Sequence, residues 1–326
     1  MEAGAADQGA SAFLYDAERT DRPVRLRDVA TERLTAKQLL WIDVPFDEDL
    51  PPAVALELTP ETVEALRAPS SEPSLFVYEG YVHVVVIAAG RGPKEHESTA
   101  LHCVVGSNWV LTVHRQPIEF LDHFDERIRG DSDLGKIDGN GFLAAILHEH
   151  VASYLAELRP LEAELDRLDV RSMRGRVQEE TLLRELIGTR VRVAKLRRQL
   201  EPHRELYALL SRSEFAVLSG SHSASDFEAL TEFLERALQA METMREMIAG
   251  SFEIYTTWTA HATNNVMKRL TVASVTLLPP TLLAGIMGMN SLPTTFANGA
   301  AFWVTTALMT CLAVTVLAIA RLRDWI

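Results

Sequence analysis

The residues best placed to do chemistry lie towards the C-terminal end of the chain. Asn264, Met267, Thr271, Ser274, Leu278, Thr281, Gly285 and Gly288 follow one another at alternating steps of three and four, so a helix wound at a period of 3.5 residues puts them on one face. That face is polar or small nearly throughout, while the positions between are mostly Val, Leu, Ile and Ala. Two uses compete: small residues that let helices pair closely, or the wetted lining of a pore built from several copies. The tripeptide Gly288-Met289-Asn290 closes the run.

Other reactive-looking groups carry less. His148-Glu149-His150 is not a zinc-protease signature, because histidines two apart on a helix point in different directions, and a solvated helical face is the simpler expectation. Met241, Met244, Met247 and Met267 read as adaptable packing rather than a soft-metal ladder. The basic run Arg190 to Arg198 is interleaved with Val and Leu in a chain of net charge −13, which favours a solvated face over nucleic-acid binding. Cys103 and Cys311 are the two cysteines, too few for a disulfide framework or thiolate metal site, as expected of a reducing cytoplasm. Neither a phosphate-binding glycine loop nor a catalytic dyad is visible, so an enzyme is the least supported class and no cofactor is called for.

The stripe must be held by a helix, and the helix by what precedes it. Leu40 to Val44 is strand-like; Ser74 to Gly90 and Leu101 to His114 are hairpin candidates turning at Glu79-Gly80 and Gly106-Ser107-Asn108. Antiparallel pairing is the economical choice. Glu61 to Arg67 and Pro117 to Arg129 have helical spacing, so residues 1–138 are expected to form a cytoplasmic α/β domain. Met1 to Ala10 has no secretion signal and reads as a frayed tail.

From Gly139 the pattern changes to long helices. Leu143, Leu147, Val151, Tyr154, Leu158, Leu161, Leu165 and Leu168 form one seam, with a kink expected at Pro160. Leu182, Leu186, Val193, Leu196, Leu200, Tyr207 and Leu210 form another, and together they predict an antiparallel helical hairpin over 139–222. A third helix starting near Asp226, capped by Ser223 or Ser225, meets no proline before Pro279. Continued to Met289, it would be roughly 95 Å long at 1.5 Å per residue, so 223–269 would stand outside any bilayer as a cytoplasmic stalk.

Between Leu270 and Ala320 there is no Asp, Glu, Lys or Arg. Transmembrane helices are expected over 270–290 and 300–320, each long enough for a hydrocarbon core of about 30 Å, with an outer loop at 291–299. Lys268 and Arg269 precede the first span, and Arg321 and Arg323 follow the second. The positive-inside rule therefore puts both ends, including the tail 321–326, in the cytoplasm of a multi-pass protein of the cell membrane.

Asn264-x-x-Met267-Lys268-x-Leu270-Thr271, Pro279-x-Thr281-x-x-Ala284-Gly285 and Gly288-Met289-Asn290, placed at the outer end of the first of two spans, together resemble the CorA family of divalent metal ion transporters. The close resemblance covers Asn264 to Asn290; the rest matches in architecture. It implies an α+β membrane protein assembled as a funnel-shaped homopentamer, with the first spans lining the pore and the second facing lipid. Asn290 would then ring the outer mouth and bind Mg²⁺, Co²⁺ or Ni²⁺ through its hydration shell, which suits Mg²⁺ because it dehydrates reluctantly. Asn264, Met267, Thr271, Ser274, Leu278, Thr281 and Gly285 would line the pore, with Met267, Leu270 and Leu278 as gates where it can dewet. Carried inward, the same seam reaches Ala260, Thr257, Glu253, Gly250, Glu246 and Thr243, which would set Glu246 and Glu253 as acidic rings in the stalk lumen, or else facing solvent.

Departures from the family pattern matter. The outer loop Ser291 to Gly299 carries no acid, Met287 stands where an aromatic is frequent, and only Arg321 and Arg323 remain of the basic cluster after the second span. A ZntB-like zinc branch of the same superfamily is the alternative transport reading. A membrane-anchored coiled-coil scaffold is the alternative without transport.

Overall fold

The computed structural model describes residues 11–25, 34–45, 56–89, 99–129, 132–173, 179–212, 223–287 and 299–323. They divide into two compact units, Met1–Ile248 and Ala249–Ile326. The first holds a sheet of β1 (Ser11–Asp16), β2 (Arg22–Pro23), β3 (Gln38–Pro45), β4 (Ser74–Val77), β5 (Val82–Ala88), β6 (Thr99–Val105) and β7 (Trp109–His114). Its spatial order is β2-β1-β3-β7-β6-β5-β4.

Both expected hairpins form. The β4–β5 turn closes with the Tyr78 N–H donating to Tyr81 O at 3.0 Å, and Gly80 sits at φ 93°, a conformation that costs a side-chain-bearing residue strain. The β6–β7 turn closes with Gly106 N–H on Trp109 O at 2.9 Å. One pairing departs from expectation: β3 and β7 run parallel, Leu40 opposite Trp109 through to Pro45 opposite His114. A tight turn forces neighbours to be antiparallel, but these strands are far apart in sequence, and long connections leave direction free. Strand β1 was not expected, and Met1 to Ala10, read as a frayed tail, lies outside the described residues.

Alternation sorts the side chains to two faces. Leu14, Leu40, Ile42, Val104, Leu111 and Val113 share one core with Leu66 of α1 (Pro60–Arg67). This helix begins with Pro60, and Thr59 Oγ1 accepts from the Thr62 N–H at 3.3 Å, the usual N-cap arrangement. On the opposite face Trp41 meets Phe124 of α2 (Glu119–Ile128) at 5.9 Å and Phe142 of α3 (Gly139–Met173) at 5.5 Å between ring centres. Helix α3 starts hard against the β6–β7 turn: Gly139 N–H donates to Ser107 O at 2.8 Å, and a Cβ on Gly139 would stand 2.1 Å from Gly106 O. Only glycine fits there.

Helix α4 (Glu179–Leu200) returns along α3. The ion pairs Arg171–Glu185, 2.9 Å, and Arg192–Glu164, 3.1 Å, define the antiparallel register, since moving seven residues back on one helix moves seven forward on the other. Every seam position named above is buried, from Leu143 to Leu168 and from Leu182 to Leu210. The second seam is not one helix, however. It breaks at Pro202, and α5 (His203–Leu210) begins immediately after, because proline lacks the N–H for the helical ladder and its ring collides with the carbonyl four residues back.

Helix α6 runs from Ser223 to Met287 with Pro279 and Pro280 inside it, starting three residues before Asp226. Within the first unit it buries Phe227, Leu230, Leu234, Leu238, Met241, Met244 and Ile248, the three-and-four spacing of an amphipathic helix. Arg204 of α5 grips Glu235 through two bonds of 2.6 and 2.9 Å, and Arg197 of α4 meets Glu242 at 2.5 Å. The basic run is thus a solvated, ion-paired face. Of the four methionines expected as packing, Met241 and Met244 are buried whereas Met247 and Met267 are exposed.

The second unit consists of the rest of α6 and α7 (Gly299–Leu322). Here apolar exposure is the rule: Leu277, Leu278, Leu282, Trp303 and Val304 are each about two-thirds exposed. Both α6 and α7 are long and apolar enough to cross a membrane, α7 with mean hydropathy 2.0.

Candidate ion path

In the second unit, α6 has one covered side. Val272 is buried and Thr276, Pro279 and Leu283 are half-buried, at steps of four, three and four, and Val272 lines a cleft against α7. Successive residues turn by 100°, which sets this side roughly 150° around the helix from the stripe. Asn264, Met267, Thr271, Leu278, Thr281 and Gly285 are exposed and Ser274 is half-buried. Apart from Thr271, which borders that cleft, the stripe is therefore directed away from the principal contact with α7.

The hydroxyls on that stripe are arranged in a way the sequence did not reveal. Thr271 Oγ1 donates to Met267 O at 2.8 Å and Thr281 Oγ1 to Leu277 O at 2.7 Å. With their protons committed to the helix backbone, these oxygens offer outward only lone pairs. A face of acceptors without carboxylates can orient the waters around a cation without stripping them. Leu270 and Leu278, named as gates with Met267, are more than half exposed, as Met267 is. Gly288, Met289, Asn290 and the loop 291–298 lie outside the described residues.

Along the stalk, Thr243, Glu246 and Glu253 are exposed. Glu246 falls between the buried Met244 and Ile248 in sequence, hence on the opposite side of α6 from the core. Among the described residues there is no group of three or more His, Cys, Asp or Glu able to hold a metal ion. Cys103 is buried, which pushes its thiol up, and Cys311 is exposed.

The histidine expectation divides. His148 is exposed and stacks on Phe233 at 4.5 Å, and Glu149 pairs with Arg127 at 2.9 Å. His150 is instead wholly buried: one ring nitrogen donates to Ile87 O at 2.8 Å, and the other accepts from Tyr207 OH at 2.8 Å. Tyr154 OH donates to the same carbonyl, and Ile87 N–H donates to His203 Nε2 at 3.0 Å. Strand β4 pairs with β5 only from Val82 to Val85, so the Ile87 peptide has no strand partner on that side and α3 and α5 supply its hydrogen bonds. Burial lowers His150 to about 4 and pulls His203 well down too. These are neutral docking groups, not metal ligands. The missed signal was spacing: Leu147, His150 and Tyr154 follow the seam's own three-and-four step.

An α/β domain with a helical hairpin, one helix running from that domain into a charge-free stretch, and a second apolar helix after it define a protein with two candidate membrane spans at its C-terminal end. Comparison with known proteins gives the family. The family model described as CorA-like Mg²⁺ transporter protein matches residues 36–321, and the chain belongs to that family: it is a CorA-family divalent metal transporter, not an enzyme. It is 26% identical over 234 residues to the cobalt/magnesium transport protein CorA of Thermotoga maritima, covering 71% of this chain and 66% of that one. It is 25% identical over 247 residues to the protein of the same name from Methanocaldococcus jannaschii, 75% of this chain and 77% of that one. In fold it is similar to the complete structure of the CorA magnesium transporter from Methanocaldococcus jannaschii, with TM-score 0.77 at 22% identity over 97% of this chain and 98% of that one.

Proposed function

We propose that several copies of this chain, five by the family resemblance, enclose a gated pore for hydrated divalent cations, Mg²⁺ foremost and Co²⁺ or Ni²⁺ with it. The observation that supports this most is the acceptor-bearing stripe on the side of α6 away from α7. The acceptor lone pairs that Thr271 and Thr281 turn outward have no donor to meet in lipid, so the stripe calls for water or a partner helix. Copies arranged around an axis supply both.

In this reading Asn290 rings the outer mouth and holds the cation through its waters, Thr281, Ser274 and Thr271 continue the oxygen path, and Leu278, Leu270 and Met267 are the constrictions. Glu253 and Glu246 would face the lumen below, and both termini lie in the cytoplasm. Membership of a transporter family sets the anchored-scaffold alternative aside.

The test is flux into liposomes carrying Mg²⁺ and Zn²⁺ indicators, with and without a pH gradient. Mg²⁺ entry independent of the gradient is expected, with Asn290→Ala lowering it at least ~10-fold. Zn²⁺ entry that follows the gradient, or an Asn290→Ala chain as active as the parent, would overturn the assignment. Cysteine labelling at position 253 tests the lumen acids: unprotected thiols whose modification leaves flux unchanged would remove Glu253 from the path.

A further inference from the structure

Between α6 and α7, inside the second unit, runs a cleft of about 220 Å³ walled by Val272, Val275, Val316 and Ile319, with Thr271 and Arg323 at one end. The wall is almost wholly apolar. Because α7 returns antiparallel to α6, the Arg323 end is also the end where Lys268 lies, one turn before Val272 on the same side of α6. Arg269 and Arg321 flank the same level. Lys268 is half-buried and Arg323 exposed, and among the described residues none of these four bases has an ion pair with an acid. From Ser251 to Arg323 the sequence contains a single acid, Glu253, four helical turns before Lys268.

An apolar slot within membrane-length helices, open at a mouth where four bases, Lys268, Arg269, Arg321 and Arg323, stand against the single nearby acid Asp324, has the form of a lipid: a hydrocarbon chain with an anionic head. We infer that this cleft is a binding site for one anionic phospholipid, its acyl chain lying along Val275 and Val316 and its phosphate held by Arg323 and Lys268. Guanidinium takes phosphate through paired N–H donors, and basic pockets between spans on the cytoplasmic side are where anionic headgroups gather. A zwitterionic lipid fills the slot equally well but brings its own cation to the basic mouth. The inference rests on the two helices crossing a bilayer: a lipid seated here braces α6 against α7, with Thr271 the one stripe residue bordering the cleft.

The experiment uses the full-length chain in phosphatidylcholine vesicles doped with a phosphatidylglycerol or phosphatidylcholine probe carrying a photoactivatable group in its acyl chain, with labelled peptides mapped by mass spectrometry. Retention of the chain in carbonate-washed vesicles, checked first, separates failure of the site from failure of insertion. The phosphatidylglycerol probe is expected to label the peptides bearing Val275 and Val316 preferentially, by about fivefold for each base engaged. Arg323→Gln with Lys268→Gln should lower that preference by about 25-fold, and Val316→Phe should abolish the labelling with both bases intact. Equal labelling by the two probes, or labelling that survives Val316→Phe, overturns the site. So does cross-linking of Val316→Cys to a second copy with no lipid labelled, since a neighbouring chain then fills the cleft.

Discussion

Two stretches of one helix show how differently the two units are made. From Phe227 to Ile248, α6 buries an apolar residue at nearly every third or fourth position against its own domain. From Ala249 to Met287 it buries Ser251 and Val272, and Leu270, Leu277, Leu278 and Leu282 stand about two-thirds exposed. The first unit meets most of its hydrogen-bonding needs internally, even at the Ile87 peptide, with Tyr15 Oη, His83 Nδ1 and Asn140 Oδ1 the buried exceptions among the described residues. The second meets few of its burial needs internally and leaves a run of large apolar side chains exposed, as suits helices that lie in lipid. The contrast teaches where this protein's stability can be read from one chain and where it cannot.

The contrast breaks most completely if the units fail to separate. A fragment ending at Ile248 is expected to be soluble and to unfold in one cooperative step followed by circular dichroism, whereas residues 249–326 alone should need detergent to stay dispersed. Aggregation of the first fragment in water would show that its core is incomplete.

Next in size is Gly139→Val, which drives a branched side chain into Gly106 O. A loss of about 3 kcal/mol is expected in urea unfolding of the same fragment. A loss below 1 kcal/mol, on the same scale, would mean that the start of α3 can shift freely.

The pH response sharpens the comparison, because the docking histidines belong to the first unit alone. Their folded values are depressed from 6.5, His150 to about 4, so the unfolded chain takes up protons first as pH falls. Their stabilisation is fully present above pH 6.5 and is lost as pH falls from there towards 4, by up to about 3 kcal/mol for His150. Measured stability should decline over that interval. In His203→Gln, which removes one titrating group, the slope should be shallower.

Smallest is Arg204→Ala, which removes the bidentate pair with Glu235. Both side chains are about half exposed, so the expected loss is under 1 kcal/mol, and it should shrink further in high salt.

What was legible from residues alone follows period. The two hairpins, the α3 and α4 seams and the two spans all rest on patterns of two, three and four or on sustained hydropathy, and these reflect which side of an element avoids water. The parallel β3–β7 pair, the break at Pro202 within a continuous heptad and the interior place of His150 were missed or misjudged, though proline and spacing had marked the last two. Strand β1, Ser11–Asp16, was not read from the residues. For the ion path, the side of α6 carrying the stripe could be named from spacing, but its position opposite the α7 contact could not.

The sequence by itself determined where charge stops and which face of the first span is polar, because both depend on residue type at fixed helical steps. Only the tertiary structure decided that Ile87 is bonded by two histidines and a tyrosine, that Gly139 rests on a carbonyl, and that the threonine hydroxyls turn their protons inward. Those facts depend on which atoms from distant positions come within hydrogen-bonding or van der Waals reach, and no local pattern specifies that.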